Sequence, residues 1–447
     1  MSNSIAKDFR FFSLLRFALP TIIMMVFMSL YTIVDGIFVS RLLGSDALSA
    51  LNIVYPFISL TIACGVMIAS GGSALCAKKM GEGKDREARE LFSMLLLTAA
   101  VIGLLLLAVG TVFLRPLVRL LGATDLLMAD SMTYLQVSLY FAPACVLQLF
   151  FQTFFVTAGN PGLGLALTVT GGLCNMIFDY LFMGPLRFGI AGAALATGIG
   201  QLIPTVVGIF YFLFVRRTLY IVRPRLRLRD LAQSCLNGFS EMVTNISNAV
   251  ITYLFNIVML RLLGEDGVAA ITIVLYGQFL FNALYMGFSM GVAPIISFNH
   301  GRRNTLRLKR ILKLCFQFIV GTSVMVTLTA LLASPAIVGV FTPPSTNTYA
   351  ITKHGFFLFS FNYLFAGINI FASAMFTAFN NGPVSALISF LRTFVFIAAS
   401  ILLLPQFLGV TGVWLSVPAA ELLTLFLSLY LIRTRGSAYL AAPPEIQ

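Results

Sequence analysis

The chain has 447 residues, of which 59% are hydrophobic and only 10% are charged, and its mean hydropathy is +0.96. A soluble protein has no interior large enough to hide so much apolar surface, so this composition excludes a soluble globular protein and predicts a polytopic membrane protein. The net charge of +13 does not indicate nucleic-acid binding, because the basic residues lie in short runs between apolar stretches.

Stretches of about 20 mainly apolar residues are long enough to cross a bilayer as helices. Twelve such stretches follow one another along the chain, and no segment is left over for a soluble domain. The first of them is too long for a signal peptide and has no small-x-small cleavage site. The predicted spans start near Phe17, Leu48, Leu91, Tyr134, Gly162, Ile190, Ser234, Val268, Ile311, His354, Val384 and Gly409.

The basic residues predict the orientation of the chain, because cytoplasmic loops carry an excess of Lys and Arg. If the N-terminus is cytoplasmic, 22 of the 29 Lys and Arg residues lie on the cytoplasmic side and six lie on the outer side. We therefore expect a multi-pass protein of the cell membrane, in contact with membrane lipids and with both termini in the cytoplasm.

The two halves of the chain repeat each other. The segment RLLGSDALSALNIV (41–54) matches RLLGEDGVAAITIV (261–274) at 8 of 14 positions, at an offset of 220 residues. The same offset, without a gap, pairs TAGN (157–160) with TAFN (377–380). A register kept over most of both halves indicates an internal duplication.

Each half contains six predicted spans, so the two halves share one orientation and should be related by an axis along the membrane normal. This predicts an all-α polytopic membrane protein with twelve transmembrane helices in two pseudo-symmetric six-helix lobes around a central cavity. We assign the N-lobe to 1–215, a basic cytoplasmic linker to 216–233 and the C-lobe to 234–447.

Only four of the 16 acidic residues fall well inside predicted spans, and they are Asp35, Asp179, Glu241 and Glu421. Burying a carboxylate in a membrane is costly, so such groups usually face a cavity or a partner. Asn175 lies one helical turn before Asp179, on the same helix face.

Three polar residues of the N-lobe share one depth in the membrane. Asp35 and Asp179 each lie four residues before the outer end of their predicted spans, and Thr197 lies seven residues in from the outer side. At the repeat offset, Asp35, Asn175, Asp179 and Thr197 become Phe255, Val395, Ala399 and Val417. The second lobe has apolar residues at all four positions, so the polar residues are not needed to build a six-helix lobe. We therefore interpret the N-lobe group as functional.

Two carboxylates in an apolar pocket disfavour each other's charge, so the pair is suited to taking up a proton. Two carboxylates, an amide carbonyl and a hydroxyl are equally suitable oxygen ligands for a sodium ion. The sequence does not choose between H⁺ and Na⁺.

The chain resembles the multidrug and toxic compound extrusion (MATE) family over essentially its full length, in its twelve spans, its two lobes and its segment LALP…VDGIFVSRLLGSDALSA. Within that family the chain resembles bacterial MepA-like exporters, bordering on DinF-like ones. The resemblance implies export of organic, mostly cationic compounds against an inward flow of Na⁺ or H⁺. Archaeal and DinF-like members have a cation site at the positions that correspond to Asp35, Asn175, Asp179 and Thr197.

In the C-lobe, Glu241 and Arg392 lie at similar depth inside their spans, which suggests an ion pair. This pair could be structural or could face the substrate, and Glu421 could compete for Arg392. Cavity-lining positions are predicted at Tyr134, Gln148, Gln152, Met28 and Met286, where interhelical hydrogen bonds or plain packing are the alternatives.

These features predict a secondary active multidrug exporter that works by alternating access. The alternative is a flippase or exporter of lipid-linked or polysaccharide precursors, which would need several buried bases, and only Arg392 lies inside a span. The chain has no HExxH motif, no Cys/His cluster and no nucleotide-binding loop, so we predict neither an enzyme nor a cofactor other than the coupling ion. We expect a monomer that binds small organic cations and no nucleic acid.

Overall fold

The described part of the chain, residues 4–440 of the computed structural model, consists of helices and short connections. A backbone in lipid must satisfy its own N–H and C=O groups, so the apolar stretches adopt helix. The helices are α1 (Phe11–Leu43), α2 (Ser45–Gly81), α3 (Asp85–Val112), α4 (Leu114–Leu120), α5 (Met128–Tyr140), α6 (Ala142–Thr157), α7 (Pro161–Met183), α8 (Ile190–Phe214), α9 (Leu228–Gly301), α10 (Thr305–Phe341), α11 (Asn347–Phe359), α12 (Tyr363–Ala378), α13 (Gly382–Ser389), α14 (Ile397–Leu408), α15 (Val410–Leu431) and α16 (Ser437–Leu440). Short 3₁₀ or π segments occupy Ser4–Ala6, Ser360–Asn362, Phe390–Phe396 and Ile432–Gly436.

Nine helical segments of the described chain are long and apolar enough to span a membrane, and the pair α5–α6, bent by 52°, makes a tenth. The remaining two spans are the halves of α9, 228–263 and 265–301. A straight helix of 74 residues would be about 110 Å long. Instead, both halves of α9 contact the same stretch of α2: Gly238 of the first half packs against Gly71, and Phe298 of the second half packs against Gly81. The two halves therefore run side by side. The prediction of twelve spans is therefore confirmed.

The internal repeat is visible in the backbone. Gly264, where α9 reverses, has φ 66° and ψ −149°, and its repeat partner Gly44 between α1 and α2 has φ 90° and ψ −177°. Gly189 and Gly409, also 220 residues apart, have φ/ψ of 60°/−145° and 56°/−136°. Positive φ is strained for residues with a Cβ, so glycine stands at both copies of each turn.

The two lobes, α1–α8 and α9–α16, meet through α1 and α2 on one side and the two halves of α9 on the other. A methyl group at Gly81 would overlap the carbonyl of Phe298, and one at Gly301 would overlap the carbonyl of Lys78. Gly81 and Gly301 are repeat partners, and so are Lys78 and Phe298. The contact is therefore reciprocal, as a pseudo-two-fold axis between the lobes requires.

This contact lies at the end of the bundle that carries the basic connections 78–90, 216–230 and 302–313, which we call the basic end. Residues 71–77 of α2 are all buried there. Towards the opposite, far end of α2, Asn52, Tyr55 and Pro56 are exposed. The lobes are thus closed on each other at the basic end.

The connection between the lobes is held on the N-lobe by charged residues. Arg227 binds Glu87 at 2.9 Å and Glu90 at 3.2 Å, both on α3. Lys79, at the end of α2, binds Glu87 at 3.0 Å and Asp230 at 3.2 Å. We call Lys79, Glu87, Glu90, Arg227 and Asp230 the linker network.

Candidate functional site

Four polar side chains of the N-lobe come together from three helices. They are Asp35 on α1, Asn175 and Asp179 on α7, and Thr197 on α8, and we call them the N-lobe cluster. Asn175 Nδ2 donates to Thr197 Oγ1 at 3.3 Å, and the carboxyl groups of Asp35 and Asp179 lie close enough to interact with each other. The structure therefore joins the three residues that the sequence placed at one depth, Asp35, Asp179 and Thr197, with Asn175 one turn before Asp179.

Small residues allow the three helices to approach closely enough for this. A methyl group at Gly172 of α7 would lie 2.6 Å from the ring of Phe27 on α1. A methyl group at Gly171 would lie 2.6 Å from the carbonyl oxygen of Gly200 on α8. Glycines at this crossing bring the backbones into contact, and the polar side chains one and two turns further along α7 then meet their partners.

The cluster has more acceptors than donors. The Asp179 side chain is 0% exposed and that of Asn175 is 3% exposed. Asp35 Oδ1, Asn175 Oδ1 and both carboxylate oxygens of Asp179 are buried without a hydrogen-bond partner among the described residues. A buried acceptor without a donor is destabilising, and a buried charge without a partner is more so. The group is chemically suited to bind a proton or a small, hard cation.

The residues of the N-lobe cluster are not the ligands that a transition metal prefers. Among the described residues, no three His, Cys, Asp or Glu side chains come close enough to hold a metal ion. Two carboxylates, an amide oxygen and a hydroxyl oxygen are hard ligands without nitrogen or sulfur, which fits H⁺ or an alkali cation rather than Zn²⁺ or iron.

A small cavity of about 50 Å³ lies beside the cluster, between α2, α5, α6 and α8. Its lining includes Thr197 of the cluster, the predicted cavity residue Tyr134, and Gln201 one turn beyond Thr197. Tyr134 is close enough to both carboxylates to interact with them electrostatically. Gln201 was not predicted as a cavity residue, although a polar side chain inside an apolar span indicates a position that faces a cavity or a partner.

The other predicted cavity residues of the N-lobe and α9 have different surroundings. Gln152 donates to Thr168 Oγ1 on α7 at 2.9 Å, which is the interhelical hydrogen bond considered as its alternative. Gln148 is buried on the same helix, α6. Met28 and Met286 are half-buried on α1 and α9, the helices that pack across the lobe boundary. A role of these residues in drug binding stays a prediction.

The predicted ion pair between Glu241 and Arg392 is wrong, because Arg392 pairs with Glu421. The Arg392 guanidinium donates to Glu421 through Nη2 at 2.7 Å and Nε at 2.9 Å. The geometry is bidentate, and the Glu421 side chain is 0% exposed. Arg392 lies in the π-helical segment Phe390–Phe396, which packs against α15, the helix that carries Glu421.

Two further residues complete this C-lobe ion pair and were not found from the sequence. Asn369 Nδ2 donates to Glu421 Oε2 at 2.7 Å, and Ser428 donates to Asn369 Oδ1 at 3.0 Å. Asn369 and Ser428 are both fully buried. A lone amide or hydroxyl in an apolar span has many possible partners, so only the packing of α12 against α15 identifies this one.

A comparison with known families matches the MatE family twice along this chain, at residues 20–181 and 242–402. The multidrug export protein MepA of Staphylococcus saprophyticus is 23% identical over 439 residues, which cover 96% of this chain and 95% of the relative. A FAD transporter of Shewanella oneidensis is 25% identical over 429 residues, covering 92% and 91%.

Solved structures share the fold. One described as the outward-facing conformation of a multidrug resistance MATE family transporter superposes with a TM-score of 0.90 at 21% identity, covering 95% of this chain and 96% of that one. The two family matches together span more than half of the chain and fall one in each lobe, as the duplication predicts. This twelve-helix membrane protein belongs to the MatE family.

Proposed function

We propose that this protein exports organic cations from the cell in exchange for an inward flow of H⁺ or Na⁺, by alternating access between its two lobes. The observation that carries the proposal is the N-lobe cluster, in which two carboxylates face each other with unpaired oxygens in an otherwise apolar helix bundle. The relatives named as multidrug export proteins, which align over nearly the whole chain, support it.

The orientation follows from the basic end. Six Lys and Arg residues lie in 302–313 and six in 216–229, and such connections remain in the cytoplasm. With the basic end inside, the lobe contact at Gly81 and Gly301 closes the cytoplasmic side, and the half-exposed far end of α2 faces outward. Under this proposal, the conformation described here is the one that would release substrate and admit the coupling ion.

The coupling mechanism follows from the chemistry of the cluster. A cation bound between Asp35 and Asp179 removes the repulsion between the carboxylates, and α1 and α7 pack more closely around it. A shift of α1 changes its contact with α9, because α1 is one of the helices at the lobe boundary. Cation binding on the outer side would therefore favour release of the drug and return of the lobes to the inward-facing state.

Export of lipid-linked or polysaccharide precursors remains the alternative, and the FAD transporter relative makes anionic substrates worth testing. Such substrates need unpaired bases along the path. Arg392 is the one base placed inside a predicted span, and Glu421 neutralises it through a bidentate pair. The charged residues inside the lobes thus favour a cationic substrate.

Transport in proteoliposomes tests this proposal. Ethidium efflux would be measured under a sodium gradient alone and then under a proton gradient alone, with FAD as a second substrate. Ethidium movement driven by either gradient is the expected result, and the gradient that drives it identifies the coupling ion. Movement of FAD without movement of any organic cation would contradict the proposal.

A further inference from the structure

A second cavity lies at the basic end of the C-lobe, where α9 ends and α10 begins, and its volume is about 180 Å³. Its walls come from the end of α9, the start of α10 and the C-terminal helix α16, and they include His300, Arg303, Thr305, Leu308 and Tyr439. None of these residues belongs to the N-lobe cluster or to the C-lobe ion pair. We call this separate site the basic-end cavity.

One wall of the basic-end cavity is built from packed aromatic rings. The Tyr439 ring stacks on Phe379, with the ring centroids 4.7 Å apart, and His300 meets Tyr439 edge-on at 5.5 Å. The Tyr439 hydroxyl accepts from Asn381 Nδ2 at 2.7 Å, which leaves its own proton available to a ligand. Among the described residues, the Thr305 hydroxyl has no hydrogen-bond partner. The cavity therefore offers two hydroxyl donors, one of them held in place by packed rings.

Arg303 has a backbone conformation that an arginine adopts only at a cost. Its φ is 54°, and its repeat partner Gly83 has φ 76°. Positive φ is strained for residues with a Cβ and unstrained for glycine. The N-lobe builds the same turn with glycine, so the fold does not require an arginine there. We interpret the Arg303 side chain as functional, because strained backbone is concentrated at functional sites.

The charge of Arg303 is not compensated within the described chain. No acidic side chain of residues 4–440 forms an ion pair with it, and Lys84 of the N-lobe is near enough to repel it. The connection 302–313 has six bases and no acid, a net charge of +6, whereas its repeat counterpart 82–93 has three bases and four acids, a net charge of −1. Both copies lie on the same side of the membrane, so orientation alone does not account for this difference. The excess of positive charge indicates an anionic partner.

The surroundings of the basic-end cavity favour a lipid over a soluble anion. Leu306, three residues after Arg303, is 82% exposed, and the apolar Leu308 lines the cavity. Apolar side chains therefore lie beside basic ones at the end of the transmembrane helices, which is the level of the lipid headgroups. With the basic end in the cytoplasm, the adjacent leaflet is the one that carries anionic phospholipids.

We propose that the basic-end cavity binds the phosphate of an anionic phospholipid from the cytoplasmic leaflet. The guanidinium of Arg303 can pair with two phosphate oxygens at once, and the hydroxyls of Thr305 and Tyr439 donate to the remaining oxygens. A bound phosphate also offsets the repulsion between Arg303 and Lys84 across the lobe boundary, so it should stabilise the closed basic end. This role depends on neither the exported substrate nor the coupling ion.

Thermal unfolding of the purified full-length protein in detergent micelles tests the site. The melting temperature is followed by the fluorescence of Trp414, the only tryptophan, with either phosphatidylcholine or phosphatidylglycerol added. We expect phosphatidylglycerol to raise the melting temperature of wild type by several degrees relative to phosphatidylcholine, and Arg303→Gln to lose most of this shift. Arg302→Gln is the matched control and should keep the shift. It removes the same charge from the neighbouring residue, which lies over the ring of Phe298 and does not line the cavity.

The variant Arg303→Gly separates a binding role from a structural one. It gives the C-lobe the residue that the N-lobe has at this turn. Relief of the backbone strain offsets the greater freedom of glycine in the unfolded chain, so the melting temperature in phosphatidylcholine should stay close to that of wild type. The response to phosphatidylglycerol should be lost. A residue that only supports the fold would instead lower the melting temperature in both lipids.

Three results would overturn the assignment, and each would leave the proposed export function standing. Equal phosphatidylglycerol shifts in wild type and in Arg303→Gln would exclude the basic-end cavity as the binding site, and Arg303→Gly decides this point if Arg303→Gln does not fold. Equal effects of the two lipids on wild type would exclude selectivity for an anionic headgroup. Stabilisation of the protein without added lipid by glycerol 3-phosphate, as strong as that by phosphatidylglycerol, would identify a soluble phosphate ester as the ligand instead.

Discussion

The two lobes of this protein share one backbone plan but differ in how they treat buried charge. In the N-lobe, Asp35 and Asp179 face each other, and their cluster leaves four oxygens without a donor. In the C-lobe, Glu421 accepts from Arg392 and Asn369 and has no unpaired oxygen among the described residues.

This difference is the one expected between a site that binds an ion and a contact that only supports the fold. A satisfied buried pair adds rigidity and holds its helices in one arrangement. An unsatisfied pair is unstable until a cation or proton arrives, so it responds to the concentration of that ion. A duplicated lobe thus provides an internal control, because residues needed to build six helices should occur twice.

The largest effect is expected from Asp179→Asn. The change keeps the shape of the side chain but removes one of the two charges that a coupling cation would neutralise, so gradient-driven export should fall to the level of empty vesicles. Export by proteoliposomes measures this, with Asp125→Asn, at a 97% exposed carboxylate, as the control. A wild-type rate in Asp179→Asn would show that the N-lobe cluster has no part in coupling.

The second prediction is that removing a buried carboxylate changes the free energy of unfolding in opposite directions in the two lobes. Glu421→Gln leaves the buried Arg392 charge uncompensated and should destabilise the protein by about 3–5 kcal/mol. The double variant Glu421→Gln with Arg392→Gln should lose less than the sum of the single changes. Asp179→Asn should instead maintain or raise thermal stability, because it removes an unsatisfied charge.

Thermal unfolding in detergent, followed by tryptophan fluorescence of Trp414, compares these variants. Trp414 is fully buried in the C-lobe, so its fluorescence reports packing in the lobe where the ion pair lies. A loss of stability in Asp179→Asn as large as that in Glu421→Gln would mean that both clusters are structural.

A smaller effect is expected at the closed basic end, where the lobes behave alike. Gly81→Ala and Gly301→Ala each place a methyl group against a carbonyl of the other lobe, so both should open the basic end and slow export several-fold. Gly321→Ala, in α10, meets no atom within 4 Å and is the control. Distances between spin labels on the two lobes measure the opening, and different responses of the two variants would contradict the reciprocal contact.

The smallest effect is expected in the linker network. Glu87→Gln removes bonds to Lys79 and Arg227, but the Glu87 side chain is 36% exposed and the loss should be below about 1 kcal/mol. The C-lobe counterpart of Glu87 is Arg307, which binds Asp8 at 3.4 Å instead. Melting temperature at low and high salt checks this, since an exposed network should weaken as salt rises. A change as large as that of Glu421→Gln would show that the linker holds the lobes together.

For some spans the sequence predicted the existence of the helix but not where it begins or bends. The fourth predicted span starts near Tyr134, whereas the helices begin at Met128 and bend by 52° between Tyr140 and Ala142. The π-helical segment Phe390–Phe396 lies within the eleventh predicted span and has no signal in the sequence. Hydropathy records which segments avoid water but not how their backbones bend, because bends depend on neighbouring helices.

The sequence by itself determined the class of protein, the twelve spans and the duplication, since these depend on hydropathy and on local similarity. It also placed Asp35, Asp179 and Thr197 at one depth and Asn175 on the same helix face as Asp179, because helical rise and helical periodicity are fixed quantities. Only the tertiary structure decided which buried charges touch. Depth along the membrane normal leaves the rotation of each helix and the choice of neighbour open. The sequence therefore favours Glu241 as the partner of Arg392 with Glu421 as a competitor, and the packing of α15 against Phe390–Phe396 selects Glu421.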